Sequence, residues 1–202
     1  MRIGIYGGTF DPIHFGHLVL AEQCRDSLDL DEIWFVLAGD PPHKTDLLIT
    51  ESTHREAMLR LAIAGNETFR LDRRELTRSG RSYSVDTLQE ITDENPRDEI
   101  FFLIGSDSLR DFPTWRHPQR IAELATIVAV NRGDDIISDV ENIVGEQIAK
   151  AVQTVQIPGI EISSSNIRRR VQLQKSVRYL LPPSVEIYIS EHNLYTAKPD
   201  QS

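Results

Sequence analysis

The sequence predicts a doubly wound α/β fold, a parallel sheet with helices on both faces, and three observations carry that prediction. Short runs rich in β-branched and aromatic residues alternate with amphipathic helical stretches. Those runs are apolar at successive positions, the pattern of strands buried on both faces. From Ser163 onward the strand-like runs cease and a helical C-terminal portion follows. The combination describes a Rossmann-like sheet with a helical appendage.

Six stretches read as strands: RIGIY (2–6), EIWFVLA (32–38), FRLD (69–72), IFFLIG (100–105), TIVAV (126–130) and TVQIP (154–158). Between them, HLVLAEQCRDSL places Leu18, Ala21, Cys24 and Leu28 at helical spacing. Thr53 followed by Glu56 predicts a capping box ahead of AMLRLAIAG, and Gly65 is placed to stop that helix. YSVDTLQEI repeats the pattern with Val85, Leu88 and Ile91. The C-terminal portion reads as two helices separated by Pro182-Pro183. A length of 202 residues suits one domain, an α/β core over 1–162 and helices over 163–202, with no linker or repeat between them.

Lys and Arg number 22 against 31 for Asp and Glu, a net charge of −9, which argues against a nucleic-acid partner bound by phosphate neutralisation. An anionic ligand must meet local basic islands. The single Cys24 leaves no intramolecular disulfide and points to a reducing, cytoplasmic setting. The start MRIGIYGG lacks the apolar segment of an export signal, and no apolar run approaches the roughly 20 residues of a membrane span. No membrane partner is expected, and homo-oligomerisation is left open.

The stretch YGGTFDPIHFGH (6–17) concentrates the chemistry. Gly7 and Gly8 follow the first strand at the carboxyl edge, where open α/β sheets bind ligands and absent side chains admit a phosphate. A plain tight turn would use the same glycines. With a helix beginning near His14 to Gly16, His14 and His17 share one face of its first turn, beside the positive end of the helix dipole. A zinc centre would want further ligands, and neither Cys24 nor a His-Glu-x-x-His pattern supplies them. The loop is not the Gly-x-Gly-x-x-Gly of dinucleotide-dependent dehydrogenases. It resembles the His-x-Gly-His motif of the nucleotidylyltransferase superfamily, shared with class I aminoacyl-tRNA synthetases.

Four further motifs follow. GDPPHK sets His43 and Lys44 on a proline-stiffened loop after the second strand, or is simply exposed. Ser82, Tyr83 and Ser84 precede a helix, where hydroxyls and N–H groups suit a carboxylate or phosphate and also suit a helix cap. GSDSLRDFPTW leaves the fourth strand with Gly105, Ser106 and Asp107 and brings in Trp115, a core residue or a stacking platform. ISSSNIRRR presents Ile162, Ser163, Ser164 and Ser165 at a helix start with Arg168 one turn in, a set of donors able to converge on a polyphosphate; Arg169 and Arg170 are expected to face water.

In this order, from residue 7 to 170, the five motifs resemble the bacterial nicotinate-nucleotide adenylyltransferase family, and YLLPPSVEIYISEHNLY resembles its C-terminal end. Ser165 and Ser84 stand where that family more often has Thr. The resemblance implies that the phosphate of nicotinate mononucleotide attacks the α-phosphorus of ATP, giving nicotinate adenine dinucleotide and pyrophosphate for NAD biosynthesis, without a covalent intermediate. It implies His14 and His17 on the α-phosphate, Arg168 and the serine turn on the β and γ phosphates, and Mg2+ bridging phosphate oxygens. By the same resemblance Gly7, Gly8, Thr9 and Phe10 line the shared phosphate region, Gly105, Ser106 and Asp107 meet the ATP ribose, and His43, Lys44, Ser82, Tyr83, Ser84 and Trp115 take the nicotinate nucleotide. Phosphopantetheine or nicotinamide-mononucleotide adenylyl transfer, and a catalytically silent nucleotide-binding module, are the rival readings. An aminoacyl-tRNA ligase is disfavoured by the short chain and acidic balance.

Overall fold

A computed structural model describes residues 1–39, 49–133 and 137–196. The strands are β1 (Arg2–Gly8), β2 (Glu32–Leu37), β3 (Phe69–Asp72), β4 (Glu99–Gly105), β5 (Thr126–Arg132) and β6 (Val152–Ile157). All pair in parallel, in the order β3-β2-β1-β4-β5-β6. The chain therefore winds outward from β1 to β3, then returns to the other side of β1 to continue through β4. That reversal opens a crevice above the carboxyl ends of β1 and β4.

Ten α-helices and one 3-10 helix (Phe112–Thr114) occur among the described residues, the former being α1 (Phe15–Ser27), α2 (Ser52–Ile63), α3 (Arg74–Thr77), α4 (Ser84–Glu94), α5 (Ser106–Asp111), α6 (Pro118–Leu124), α7 (Val140–Val144), α8 (Glu146–Ala149), α9 (Ser164–Gln172) and α10 (Pro183–Glu191). None is long and apolar enough to cross a membrane.

Successive residues of the central strands β1, β2, β4 and β5 enter opposite cores, as their apolar runs require, whereas the edge strands β3 and β6 expose residues such as Arg70, Gln153 and Gln156. Tyr6, Phe35, Leu103 and Val128 pack with α1, α2, α9 and α10, whereas Ile5, Val36, Ile104 and Ile127 pack with α4 to α8. A fully buried ring such as Phe35 contributes about 1.5–3 kcal/mol by leaving water. Cys24 lies in the first core, where burial pushes its thiol pKa up to about 12 and leaves it unreactive at neutral pH.

Two local expectations change. Glu51 precedes α2 and its carbonyl accepts the first helical N–H groups, so Thr53 lies inside the first turn and forms no capping box with Glu56. Glu56 instead pairs with Arg60 at 2.9 Å and Arg73 at 3.0 Å. Pro182-Pro183 does not merely separate two helices: Pro183 opens α10, where its missing N–H has no helical partner to lose. Gly65, at φ +86°, follows α2 in the left-handed region and ends it as expected.

Candidate functional site

Above the switch between β1 and β4 lies a cavity of about 750 Å³. Gly7, Gly8 and Thr9 form one wall, Gly105, Ser106 and Asp107 another, Ser82, Tyr83 and Ser84 a third, and Trp115 closes it. Ten residues read from three separate motifs, Trp115 among them, thus share one concave surface. Gly7 and Gly8 prove to be the last residues of β1 and not a turn after it. A Cβ on Gly7 would meet nothing within 4 Å, so its missing side chain leaves open space in the cavity.

Phe10 does not line this cavity. It is 2 % exposed and packs edge-on against Tyr6, with ring centroids 5.5 Å apart, and His17 at 5.1 Å. A Cβ on Gly8 would fall 2.7 Å from the Phe10 ring, so the second glycine makes room for a core side chain. His43 and Lys44 lie outside the described residues.

His14 caps α1 and His17 sits in its first turn, their rings stacked 3.7 Å apart. The His14 backbone N–H donates to His17 Nδ1 at 3.3 Å, which assigns the ring hydrogen of neutral His17 to Nε2. A Cβ on Gly16 would lie 3.0 Å from His14 Nδ1, so glycine there keeps the pair uncrowded. Burial, aided by the Arg132 charge, lowers the His14 pKa to about 4, leaving a neutral imidazole at working pH. Its Nδ1 is buried without a partner.

That shift has a testable consequence. An unfolded histidine protonates near 6.5 while folded His14 does not until about 4, so between those values the unfolded chain holds more protons and stability falls as pH is lowered. The loss approaches about 3 kcal/mol at pH 4 and is absent above about pH 7. Denaturant titrations of wild type and His14→Asn across this range should converge toward acid by that amount; parallel curves would contradict it.

The serine turn and Arg168 form a second cluster that approaches the loop after β1 and does not line the cavity. Ser163 caps α9, its Oγ accepting the Asn166 N–H at 3.2 Å. Ser164 Oγ donates to the Pro12 carbonyl at 2.9 Å, and Arg168 Nη1 to the Asp11 carbonyl at 2.6 Å. Arg168 Nη2 also donates to Ser165 Oγ at 3.3 Å. The Ile162 carbonyl lies 3.5 Å from a Cβ placed on Gly16. These residues grip the histidine loop. Arg169 is exposed, whereas Arg170 is half-buried and donates from Nε to the Ser176 carbonyl at 2.7 Å, so only Arg169 faces water as expected.

Three residues escaped the sequence reading. Arg55 is 2 % exposed and donates to the carbonyls of Thr50 (2.9 Å), Thr9 (3.0 Å), Ala38 (2.8 Å) and Gly39 (3.2 Å), tying together the segments that leave β1 and β2. Arg132 ends β5 at the cavity, with Nη2 3.8 Å from a Cβ placed on Gly105. Arg116 lines the cavity with its guanidinium 4.5 Å from the Tyr83 ring centroid. A basic residue ending a strand was a usable signal for Arg132. Nothing local marks Arg55, which reads as the polar face of α2.

A nucleotide-sized crevice at a topological switch, lined by Arg116 and Arg132, with the His14–His17 pair outside its lining but the His17 ring 6.2 Å from that of the lining residue Tyr6, defines a nucleotidyltransferase. Residues 5–170 match the cytidylyltransferase-like family. A protein of Oceanobacillus iheyensis named "Probable nicotinate-nucleotide adenylyltransferase" is 42% identical over 194 residues, covering 96% of either chain. One of the same name from Thermus thermophilus is 44% identical over 195 residues, covering 96% of this chain and 100% of its own. Among solved structures, Plasmodium falciparum nicotinic acid mononucleotide adenylyltransferase complexed with NaAD superposes with a TM-score of 0.78 at 25% identity, covering 96% of this chain and 97% of its own. The chain belongs to the nicotinate-nucleotide adenylyltransferase family.

Proposed function

We propose that the protein transfers the adenylyl group of ATP to nicotinate mononucleotide, forming nicotinate adenine dinucleotide and pyrophosphate in NAD biosynthesis. The observation that carries this reading is the stacked His14–His17 pair at the start of α1, beside the cavity at the sheet's switch point. A phosphate monoester is already largely ionised at neutral pH, so the acceptor needs little base catalysis and the protein's work is positioning and charge stabilisation. A site built from donors suits that task.

In this reading His17 donates from Nε2 to the α-phosphate, and the neutral His14 ring shares the charge that develops there. Arg168, Arg132 and the N–H groups opening α9 hold the β and γ phosphates. Gly105, Ser106 and Asp107 lie beside the ATP ribose. Mg2+ would be held mainly by the phosphate oxygens of ATP. When bound there, Mg2+ neutralises charge on the polyphosphate.

The nicotinate carboxylate fits the start of α4. Tyr83 precedes that helix without a side-chain cap, and Ser82 Oγ is buried with no partner. Unpaired donors at a helix N-terminus favour an anion that only accepts hydrogen bonds. Trp115 packs one edge against Phe112 (5.3 Å) and Phe102 (6.1 Å) and still lines the cavity, where it stacks on the pyridine ring. Trp115→Ala should raise the acceptor KM by about threefold to tenfold with ATP affinity almost unchanged, the effect of losing roughly 0.5–1.5 kcal/mol of stacking. Equal losses for both substrates would show that the ring is core alone.

The protein is expected to act in the cytoplasm. Pyrophosphate release from ATP and Mg2+ with nicotinate mononucleotide, nicotinamide mononucleotide or phosphopantetheine as acceptor tests the assignment. Release with the first is expected. Release with phosphopantetheine alone, or ATP binding with no release, would overturn it.

A further inference from the structure

The C-terminal stretch YLLPPSVEIYISEHNLY has no part in the chemistry above, yet its last tyrosine reaches the histidine loop. The Tyr195 hydroxyl donates to Asp11 Oδ1 at 2.6 Å, across 184 residues of sequence. Asp11 is 4 % exposed, and its Oδ2 accepts the Thr50 backbone N–H at 3.2 Å. The carbonyls of Thr9, Asp11 and Pro12 are taken by Arg55, Arg168 and Ser164. The loop leading to His14 is thus held on three carbonyls and one buried carboxylate.

Docking of the C-terminal helix does not depend on the Tyr195 hydroxyl. Val185 and Ile189 of α10 are buried in the core, Ser184 Oγ donates to the Leu61 carbonyl at 3.2 Å, and His54 Nδ1 lies 2.9 Å from the Tyr188 hydroxyl. The specific consequence of the Tyr195–Asp11 bond therefore falls on the loop. A hydrogen bond to a buried carboxylate is among the stronger ones, because its loss leaves charge unsolvated. Burial beside that charge holds the phenol above its ordinary pKa, so it remains a donor.

We propose that Tyr195 is a positioning residue for adenylyl transfer: acting through Asp11, it fixes the loop over residues 9–14 and so the placement of His14 and His17 against the phosphate. The inference rests on the reading that these histidines meet the α-phosphate.

The test compares wild type, Tyr195→Phe, Asp11→Asn and the double variant by pyrophosphate release with ATP, Mg2+ and nicotinate mononucleotide, and follows the His14 ring by NMR against pH. Tyr195→Phe keeps the ring and deletes the hydroxyl with its bonds to Asp11 and Thr50, so kcat should fall about tenfold while the acceptor KM stays within about twofold. The double variant should be no worse than Asp11→Asn alone, because both changes break one link. The His14 midpoint, about 4 in wild type, should rise toward 6.5 as the loop loosens. A kcat within about twofold of wild type, losses that multiply in the double variant, or an unmoved His14 midpoint would each overturn the proposal. Wild type that releases no pyrophosphate would instead overturn the reaction, and the His14 midpoint in Tyr195→Phe would still decide whether Tyr195 sets the loop.

Discussion

In a folded His17→Ala protein, turnover falls by about 10² to 10³, the effect of removing one transition-state donor that contributes about 2.7–4 kcal/mol. His17 has a second task, since its Nδ1 accepts the His14 backbone N–H at 3.3 Å. Alanine therefore also strips an acceptor from the start of α1, a loss of about 0.5–2 kcal/mol in stability. His17→Asn separates the two effects. An asparagine carbonyl takes over the acceptor role, but the side chain is too short to place a donor where Nε2 stood. Turnover should fall as far in His17→Asn as in His17→Ala while thermal stability recovers. Near wild-type turnover in either folded variant would remove His17 from the chemistry.

Selection of nicotinate over nicotinamide mononucleotide should reach at least about 10² in kcat/KM, read at fixed ATP and Mg2+. Sites that leave buried polar groups unpaired with the wrong substrate discriminate by as much as about 10⁴ to 10⁵. Here the relevant groups are the buried, unpartnered Ser82 Oγ and the uncapped start of α4. A carboxamide turns an NH2 toward the backbone N–H groups that open α4, which cannot accept it. Glu75 works against the preference, because it lines the same cavity and a bound carboxylate would feel its charge. That opposition is weakened: burial raises the Glu75 carboxyl pKa, and its Oε1 accepts the Thr87 hydroxyl at 2.7 Å. Comparable kcat/KM values for the two acceptors would refute the carboxylate site and leave adenylyl transfer intact.

The four central strands were legible because each is a short, mostly apolar run between polar segments, whereas the edge strands β3 and β6 carried only β-branched or aromatic residues among polar ones. FRLD is β3 to the residue, and the others shift by no more than two positions at either end. Glycines and histidines of the first loop were legible for a similar reason, since spacing alone places them at a strand end and a helix start. Partnerships across the fold were not. Arg55 pairs with carbonyls up to 46 residues away, and Asp11 with a hydroxyl 184 residues away. Phe10 shows the same limit from the other side. The family resemblance placed it in the phosphate region, but with no side chain on Gly8 its ring turns into the core. Sequence brought out the candidate groups for the chemistry more readily than the groups that hold them in place.

The central claim is direct, in-line attack by the acceptor phosphate on the α-phosphorus. Its most direct test is the stereochemical course with ATP made chiral by one sulfur on the α-phosphate. A single in-line displacement inverts that centre in the dinucleotide product. Inversion, with one pyrophosphate released per dinucleotide formed, is the predicted result. Retention would require two displacements through an adenylyl-enzyme intermediate and would contradict the account.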